Sequence, residues 1–471
     1  MVSSQAVVDS EQSVVRLEQE VPVVARVDVL VVGGGPAGIA AAVGSARCGA
    51  ATVLVEQYGF LGGNATAGLV GPFMTSFSGD GETQVIAGVF DELVRRMEAQ
   101  GGAVHPSRVR AGSAESGYYV YGHDHVTPFD PELLKVVAAD MVQEAGAHLY
   151  LHTRFIEPLL NGKRMQGAVV HNKSGLQALL AQVVVDCSAD ADVAYRAGAP
   201  TTKGRAQDGR MQPMTMFFQV SGVYEVAVEA YVAQHPEEKG ALFYGIVEPA
   251  RKRGEFPAPR DHVGVYRSAK KGTWWVNTSR LLGLDGTDVR DLTRAEVEGR
   301  KQVLALLRFF REHLPGFQEA TLVRIATQVG VRETRRIVGE YVLTIDDLVS
   351  GRHFDDVIAL SSYPVDIHAV DGAGGFFGGA QSGLQTASVY EIPYRALLPR
   401  EVEQLLVAGR CVSATHEAAG AVRVMPPCFA MGHAAGVAAA TSVAEATSPR
   451  QVPVRKVQQT LQKQGAILSV S

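Results

Sequence analysis

Long apolar runs are absent from this 471-residue chain. Its hydrophobic stretches break at Gly, Arg or Asp, short of the ~20 residues that a membrane-spanning helix needs. The first 25 residues mix charges with valines and have no extended apolar centre. They read as a polar lead-in, not as a secretory signal. Cysteine is scarce: Cys48, Cys187, Cys411 and Cys428 are the full set, and no two form C-x-x-C. Metal clusters and redox dithiols therefore have no support, and no metal is expected. The scatter predicts reduced, buried thiols and a cytoplasmic location. Positive charge is not in excess, since the formal net charge is −5. That argues against nucleic acid or an anionic membrane surface as a partner. Repeats of fixed period and low-complexity tracts are also missing. What remains is a chain with 46% hydrophobic and 20% charged residues, enough to bury a core in two or three domains.

Glycine, by contrast, is abundant at 50 residues, and its placement is informative. VDVLVVGGGPAGIAAAVG covers residues 27–44. The β-branched run at 27–32 predicts a buried parallel strand. Pro36–Arg47 predicts an Ala/Gly-rich helix packed closely on the sheet. Between them Gly33, Gly35 and Gly38 complete G-x-G-x-x-G, and Thr52–Val55 predicts the next strand, ending at Glu56. This is the dinucleotide pattern with its context: strand, glycine turn, helix, and an acid about 20 residues on. Gly33 makes the turn, Gly35 lets backbone approach a pyrophosphate, and Gly38 allows helix–strand packing. The helix N-terminus offers N–H groups to phosphate, and Glu56 accepts from a ribose diol.

Glu56 does not separate NAD from FAD, because both carry an adenosine ribose. The chain's route does. No compact second nucleotide half follows. GFLGGNATAGLVGP, residues 59–72, continues as a Gly-rich loop. The completing strand and helix come at 403–445, in EQLLVAGR and PPCFAMGHAAGVAAATSVAEA. A fold left and re-entered suits the longer cofactor, FAD, with a second domain inserted. DGAGGFFGGAQSG at 371–383 is the rival fingerprint, but it lacks the third spaced Gly and a preceding strand. It reads as a loop, so no separate nicotinamide domain is expected.

Between these ends, Asp130-Pro131-Glu132 opens a helix to about Ala145, with Asp as N-cap and Pro at the first position. A strand is expected over 148–155, and two more, antiparallel, over 168–171 and 176–185. Residues 200–350 hold most charge clusters and both tryptophans. Thr293 and Glu296 signal a capping box before a helix that reaches about Leu314. The fold class expected is α/β. A discontinuous Rossmann-like FAD-binding domain would span 26–200 and 355–445. An inserted α+β substrate or cap domain would span 201–354, with a lead-in at 1–25 and a C-terminal tail at 446–471.

Five stretches carry a resemblance: VVGGGPAGIAAA, GGNATAGLVGPFM, VVVDCSADADVAYRAG, RRIVGEYVLTIDD and LLVAGRCVSATHEAAGAVRVMPPCFAMGHAAGVAAA. They span most of residues 27–440. The chain resembles the FAD-dependent oxidoreductases related to fumarate-reductase-type and glutathione-reductase-type flavoproteins. That resemblance implies a two-domain FAD protein and no particular substrate. It places Gly33, Gly35, Pro36, Ala37 and Gly38 at the pyrophosphate, and Glu56 with Gln57 at the adenosine ribose. Gly62, Gly63 and Asn64 would lie beside the pyrophosphate and flavin. Phe155 would offer backbone to the adenine, and Ala189 would join the cofactor shell. Gly409 and Arg410 would sit near the ribityl–phosphate region; many flavoproteins carry an acid where this chain has Arg410. Val424 and Met425 would run past the isoalloxazine. The helix from Pro426-Pro427 would direct its positive end at the flavin, or pack through Gly432 and Gly436, or both.

Several polar residues are candidates for chemistry. His123, Asp124 and His125 read as exposed loop polarity, since no third ligand is nearby. Arg332, Arg335 and Arg336 suit carboxylate recognition or anion stabilisation, against salt bridging to Glu333, Glu340 or Asp346. His368, beside Tyr363 and Asp366, is a candidate proton acceptor, against a satisfied core histidine. His416, Glu417 and Arg423 precede the flavin-facing segment, and Arg423 is the first choice there. His433 reads as core, and the tryptophans as strand packing.

The leading reading is an FAD-dependent dehydrogenase or oxidase of a small organic molecule, with hydride passing to flavin N5. The alternative is a reductase of an activated C=C bond. A flavin monooxygenase or halogenase comes third, and the W-x-W-x-I-P halogenase signature is absent. An electron-transfer flavoprotein subunit is the remaining class. The electron acceptor would be oxygen or a carrier, and a homo-oligomer is compatible with the sequence.

Overall fold

The apolar run at 29–32 becomes the middle of a sheet because both of its faces are covered. In the computed structural model, which describes residues 4–8, 15–370, 372, 375–377 and 385–470, strand β1 (Val23–Val32) pairs parallel with β2 (Thr52–Val55) on one side. Helix α1 (Pro36–Arg47) links them, with Pro36 at its first position. Helix α2 (Pro131–Glu144) starts where expected, its Asp130 cap accepting from the Glu132 N–H at 2.8 Å. It leads to β3 (His148–Tyr150), parallel to β2. Strands β4 (Arg154–Asn161) and β5 (Arg164–Asn172) form an antiparallel pair. Strand β6 (Gly175–Asp186) closes this part, antiparallel to β5 and parallel to β1.

A second, antiparallel sheet follows. It contains β7 (Phe218–Ser221), β8 (Val265–Arg267), β9 (Thr273–Val276) and β10 (Thr321–Ile325), ordered β8-β9-β7-β10. Helix α3 (Val289–His313) packs its apolar stripe into the same cluster, with Val303 and Phe310 beside Phe218 and Trp274. The two tryptophans are strand packing, as expected, and alternation sends them to opposite faces. Trp274 enters this cluster, whereas Trp275 joins the main core 4.9 Å from the Phe129 ring.

The chain then returns. Strand β11 (Leu405–Val407) adds parallel to the last residues of β6, Leu405 opposite Val184. Helices α4 (His416–Val422) and α5 (Met425–Ala444) follow. A Cβ on Gly432 would stand 2.0 Å from the Ala37 carbonyl oxygen, and one on Gly436 2.1 Å from that of Ala41. Only glycine permits this approach of α5 to α1. A larger residue would force the helices apart at about 1–3 kcal/mol. The carboxyl ends of β1, β2, β6 and β11 all face one side, where such sheets bind ligands.

The structure amends several expectations. Residues 4–8 and 15–19 of the lead-in pair as antiparallel strands. The segment after 446 is not a loose tail. It forms helix α6 (Val454–Lys463), which buries Val457 and Leu461 one turn apart on one face. The strand expected over 148–155 breaks at His152, whose φ is +51°, so Phe155 lies on β4. Helix α3 starts at Val289 with Asp288 as its cap. Thr293 lies inside the helix, its hydroxyl donating to the Val289 carbonyl at 2.7 Å. The residue 371–383 loop lies largely outside the described residues. Cys187, Cys411 and Cys428 are buried, whereas Cys48 is exposed. Among the described residues, no helix is long and apolar enough to cross a membrane.

Candidate active site

A cleft of about 510 Å³ runs along the carboxyl ends of the parallel strands. At one end it is made mostly of backbone. Gly33 has φ +100°, and a Cβ there would meet the Cys187 carbonyl oxygen at 2.5 Å. Gly38 is tighter still, 1.7 Å from the Gly33 oxygen. Gly35 differs. Its nearest neighbour to a Cβ is the Gly63 Cα at 3.9 Å, and it lines the cleft with Pro36 and Ala37. The protein itself does not need glycine at 35; the open space above it does. The N–H groups of α1 face that space.

Glu56 also lines the cleft, with Gln57 and Phe155 beside it. Its carboxylate accepts from the Gly34 N–H at 2.6 Å and from the Tyr58 N–H at 2.9 Å. Burial pushes its pKa up, against the pull of those two N–H groups. Gly63 and Asn64 line the middle, while Gly62 and Gly38 stand behind the wall and shape it. Ala189, Gly409 and Arg410 follow. Arg410 spans the cleft's far wall, donating to the Ala189 carbonyl at 3.0 Å, to Asp190 Oδ1 at 2.6 Å and to the Val331 carbonyl. Asp190, which lines the cleft as well, is held in place by Arg410.

At the other end, side chains replace backbone. Arg423 caps the carboxyl end of α4, and Met425 begins α5; both line the cleft, whereas Val424 is buried beside it. Arg423 Nη2 donates to Asp366 Oδ2 at 3.1 Å, the Asp366 carbonyl at 3.0 Å and Gln212 Oε1 at 3.3 Å. Arg332 does not line the cleft. It donates to the Pro213 carbonyl and the Thr215 hydroxyl, each at 2.7 Å. Withdrawal from water, and then the nearby Arg423 charge, lower its pKa to about 9.

The two histidines proposed for chemistry do not line the cleft. His368 Nδ1 stands 3.1 Å from Arg280 Nη2, so it accepts, leaving the ring proton on Nε2, 3.4 Å from Asp366. Burial, and then the charge of Arg332, hold it well below the usual histidine range. His416 is buried against Glu333, Nδ1 to Oε1 2.8 Å, and Glu333 also pairs with Arg336. Arg335 pairs with Asp192 at 2.8 Å. The exposed-loop reading of His123 and His125 fails, because both are buried. His125 stacks on Phe77 at 4.3 Å and His123 on Tyr119 at 4.4 Å. His433 is a core residue, bonded to Gln464 at 2.7 Å.

Residues 28–461 match the family model described as FAD dependent oxidoreductase. The chain belongs to the FAD-dependent oxidoreductase family. FAD is accordingly its cofactor, and the cleft fits it: an open cradle at Gly35, helix N–H groups for phosphate, and a carboxylate at Glu56. Among curated proteins, the chain is 22% identical to 2,4-dichlorophenol 6-monooxygenase of Delftia acidovorans over 54% of its own length and 42% of that protein's. It is 30% identical to digeranylgeranylglycerophospholipid reductase of Methanoculleus marisnigri over 37% of its own length and 42% of that protein's. It thus spans about two fifths of the curated relatives that it matches. A solved geranylgeranyl bacteriochlorophyll reductase-like protein from Thermoplasma acidophilum aligns with a TM-score of 0.45 at 13% identity, covering 94% of this chain and 84% of that one.

Sequence reasoning missed Gln212, Arg260, Arg280 and Asn277, which join Arg423 and Arg332 from distant segments. The one local hint was the polar triplet Arg260-Asp261-His262, set directly before the apolar residues 263–266.

Proposed function

We propose that the protein is an FAD-dependent dehydrogenase or oxidase of a small organic molecule, with its reaction centre at the Arg423 end of the cleft. The observation that carries this is the polarity of the cleft: Glu56 and the glycines at one end, a guanidinium with three bonded acceptors at the other. The bound flavin supplies the hydride acceptor. The chain supplies placement and charge. Arg423 is fixed by Asp366 and Gln212, and Arg332 by Pro213 and Thr215, so both guanidiniums are set before substrate arrives. His368 orients Arg280, and His416 orients Glu333; neither is placed in the chemistry by this reading. The 201–354 segment is the cap in this reading: it supplies Gln212 to Arg423 and also lines the cleft through Gly286, Leu292 and Val329.

In the same reading Gly33, Gly35, Pro36, Ala37, Gly63 and Asn64 hold the pyrophosphate region. Glu56 and Gln57 hold the ribose. The opposite direction, reduction of an activated C=C bond, is the second reading, favoured by the same arginines near the cleft end. Anaerobic mixing separates the two. Bleaching of the bound flavin by an added small molecule supports a dehydrogenase. Reoxidation of the dithionite-reduced protein by an unsaturated acid supports a reductase. A protein that takes up no flavin contradicts both.

A further inference from the structure

Beyond Arg423 the polar residues form one connected cluster. Asn277 joins two arginines: its carbonyl accepts from Arg260 Nη1 at 2.6 Å, and its Oδ1 lies 3.5 Å from Arg332 Nη2. Arg260 Nη2 donates to His262 Nε2 at 2.9 Å, and the Tyr119 hydroxyl reaches the same nitrogen at 3.0 Å. Arg280 meets His368, His368 meets Asp366, and Asp366 meets Arg423. Four guanidiniums therefore converge from residues 260, 280, 332 and 423. Among the described residues, the carboxylates bonded into the cluster are Asp366 and Asp261.

Two further observations point to an anion. First, donors are left over. Gln212 Nε2, Arg260 Nε and Arg423 Nε are buried without an acceptor, although Gln212 and Arg260 are only 2% and 3% exposed. Buried donors without acceptors are costly, and burying cations together more so. Second, the cluster is not sealed, and Arg423 carries it to the cleft. The side chains of Arg423, Asp366, His368 and His262 keep 11, 14, 16 and 18% exposure. Burial and then Arg260 bring the Arg280 pKa down to about 10.

We propose that Arg260, Arg280, Arg332 and Arg423 form the recognition site for a carboxylate group of the substrate, making the substrate a small organic acid. This rests on the reading that the Arg423 end of the cleft is the reaction centre. A carboxylate takes paired donors from guanidinium, and the leftover Nε and amide donors supply further ones. The Tyr119, His123 and Tyr266 rings, near-parallel within 6.2 Å of one another, pack beside His262 through the Tyr119 hydroxyl. The same cations would also favour negative charge on the reduced flavin, so the test separates the two sources of anion.

The FAD-loaded, oxidised protein is titrated with acetate, malonate, succinate and benzoate, each against its amide, and with inorganic phosphate. Binding is read by calorimetry and by perturbation of the flavin spectrum. At least one acid is expected to bind at millimolar concentration, with its amide silent. Arg260→Gln, which lies off the cleft, is expected to weaken that acid about tenfold to hundredfold without changing FAD content. Arg253→Gln, on the exposed surface, leaves the affinity unchanged. Should Arg260→Gln fail to fold, the acid-against-amide comparison on the wild type decides alone. Binding of phosphate with no acid, or of no anion at all by protein that holds FAD, overturns the carboxylate site while leaving the flavin reading intact. Protein that holds no FAD defeats the flavin reading instead.

Discussion

The two ends of the cleft are built on different principles. The Gly33–Glu56 end is backbone: a turn, a helix start and a carboxylate, all within 24 residues of sequence. The Arg423 end is side chains drawn from residues 212, 260, 277, 280, 332, 366 and 423. The first needs particular conformations, and the second needs particular charges. A backbone site fails when a Cβ is added. A side-chain site fails when a charge is removed, and its fold survives.

Gly38→Val should give the largest effect. Its Cβ would meet the Gly33 carbonyl 1.7 Å away, and backbone has nowhere to go. A loss of about 3 kcal/mol or more is expected, read as loss of soluble protein or of cooperative thermal unfolding. Soluble, normally melting protein would break the comparison at its first end.

Acid should act almost as strongly on the α1–α5 pair that backs this end. His433 holds the α1–α5 contact; its Cδ2 would lie 2.9 Å from a Cβ on Gly44. Burial lowers its pKa from 6.5 to about 4. The folded pKa is depressed, so the unfolded chain gains the proton first. This contribution is full above pH 6.5 and is lost as pH falls toward 4. The total is about 3 kcal/mol. Urea unfolding of the wild type at pH 7.5 and 4.5 should show that loss relative to His433→Gln; equal losses would refute it.

Arg332→Gln tests the other end. Carboxylate affinity or turnover should fall about a hundredfold, while FAD affinity stays within about twofold, since Arg332 does not line the cleft. A matching fall in FAD affinity would merge the two ends into one.

Gly35→Ala should be the mildest. The added methyl meets no protein atom within 3.9 Å, and the Gly35 φ of −74° suits alanine. Apoprotein melting should hardly move, whereas FAD should bind about tenfold more weakly because the methyl occupies phosphate space. Unchanged FAD affinity would place the pyrophosphate elsewhere.

The same contrast explains what the sequence disclosed. The glycine motif was legible because turn, helix cap and acid are neighbours in the chain. The returning β11 and α5 were legible because small residues repeat at 432 and 436. Arg423 was found by its place before α5, and Arg332 by charge alternation. Arg260, Arg280, Asn277 and Gln212 were not found, because only the fold of the second sheet brings them near Arg423. His368 and His416 were singled out for their chemistry, yet their partners Arg280 and Glu333 could be paired with them only in three dimensions. Helix α6 was missed because its stripe is short, two buried residues at 457 and 461.

In the proposed arrangement the two ends belong to one cofactor, phosphates over Gly35 and reactive ring beside Arg423. The crystal structure of the FAD-loaded protein tests it directly. The pyrophosphate is expected at the start of α1, the ribose at Glu56 and the isoalloxazine against residues 423–425. An isoalloxazine seated at the Glu56 end, or one that leaves Arg423 facing solvent, would contradict it.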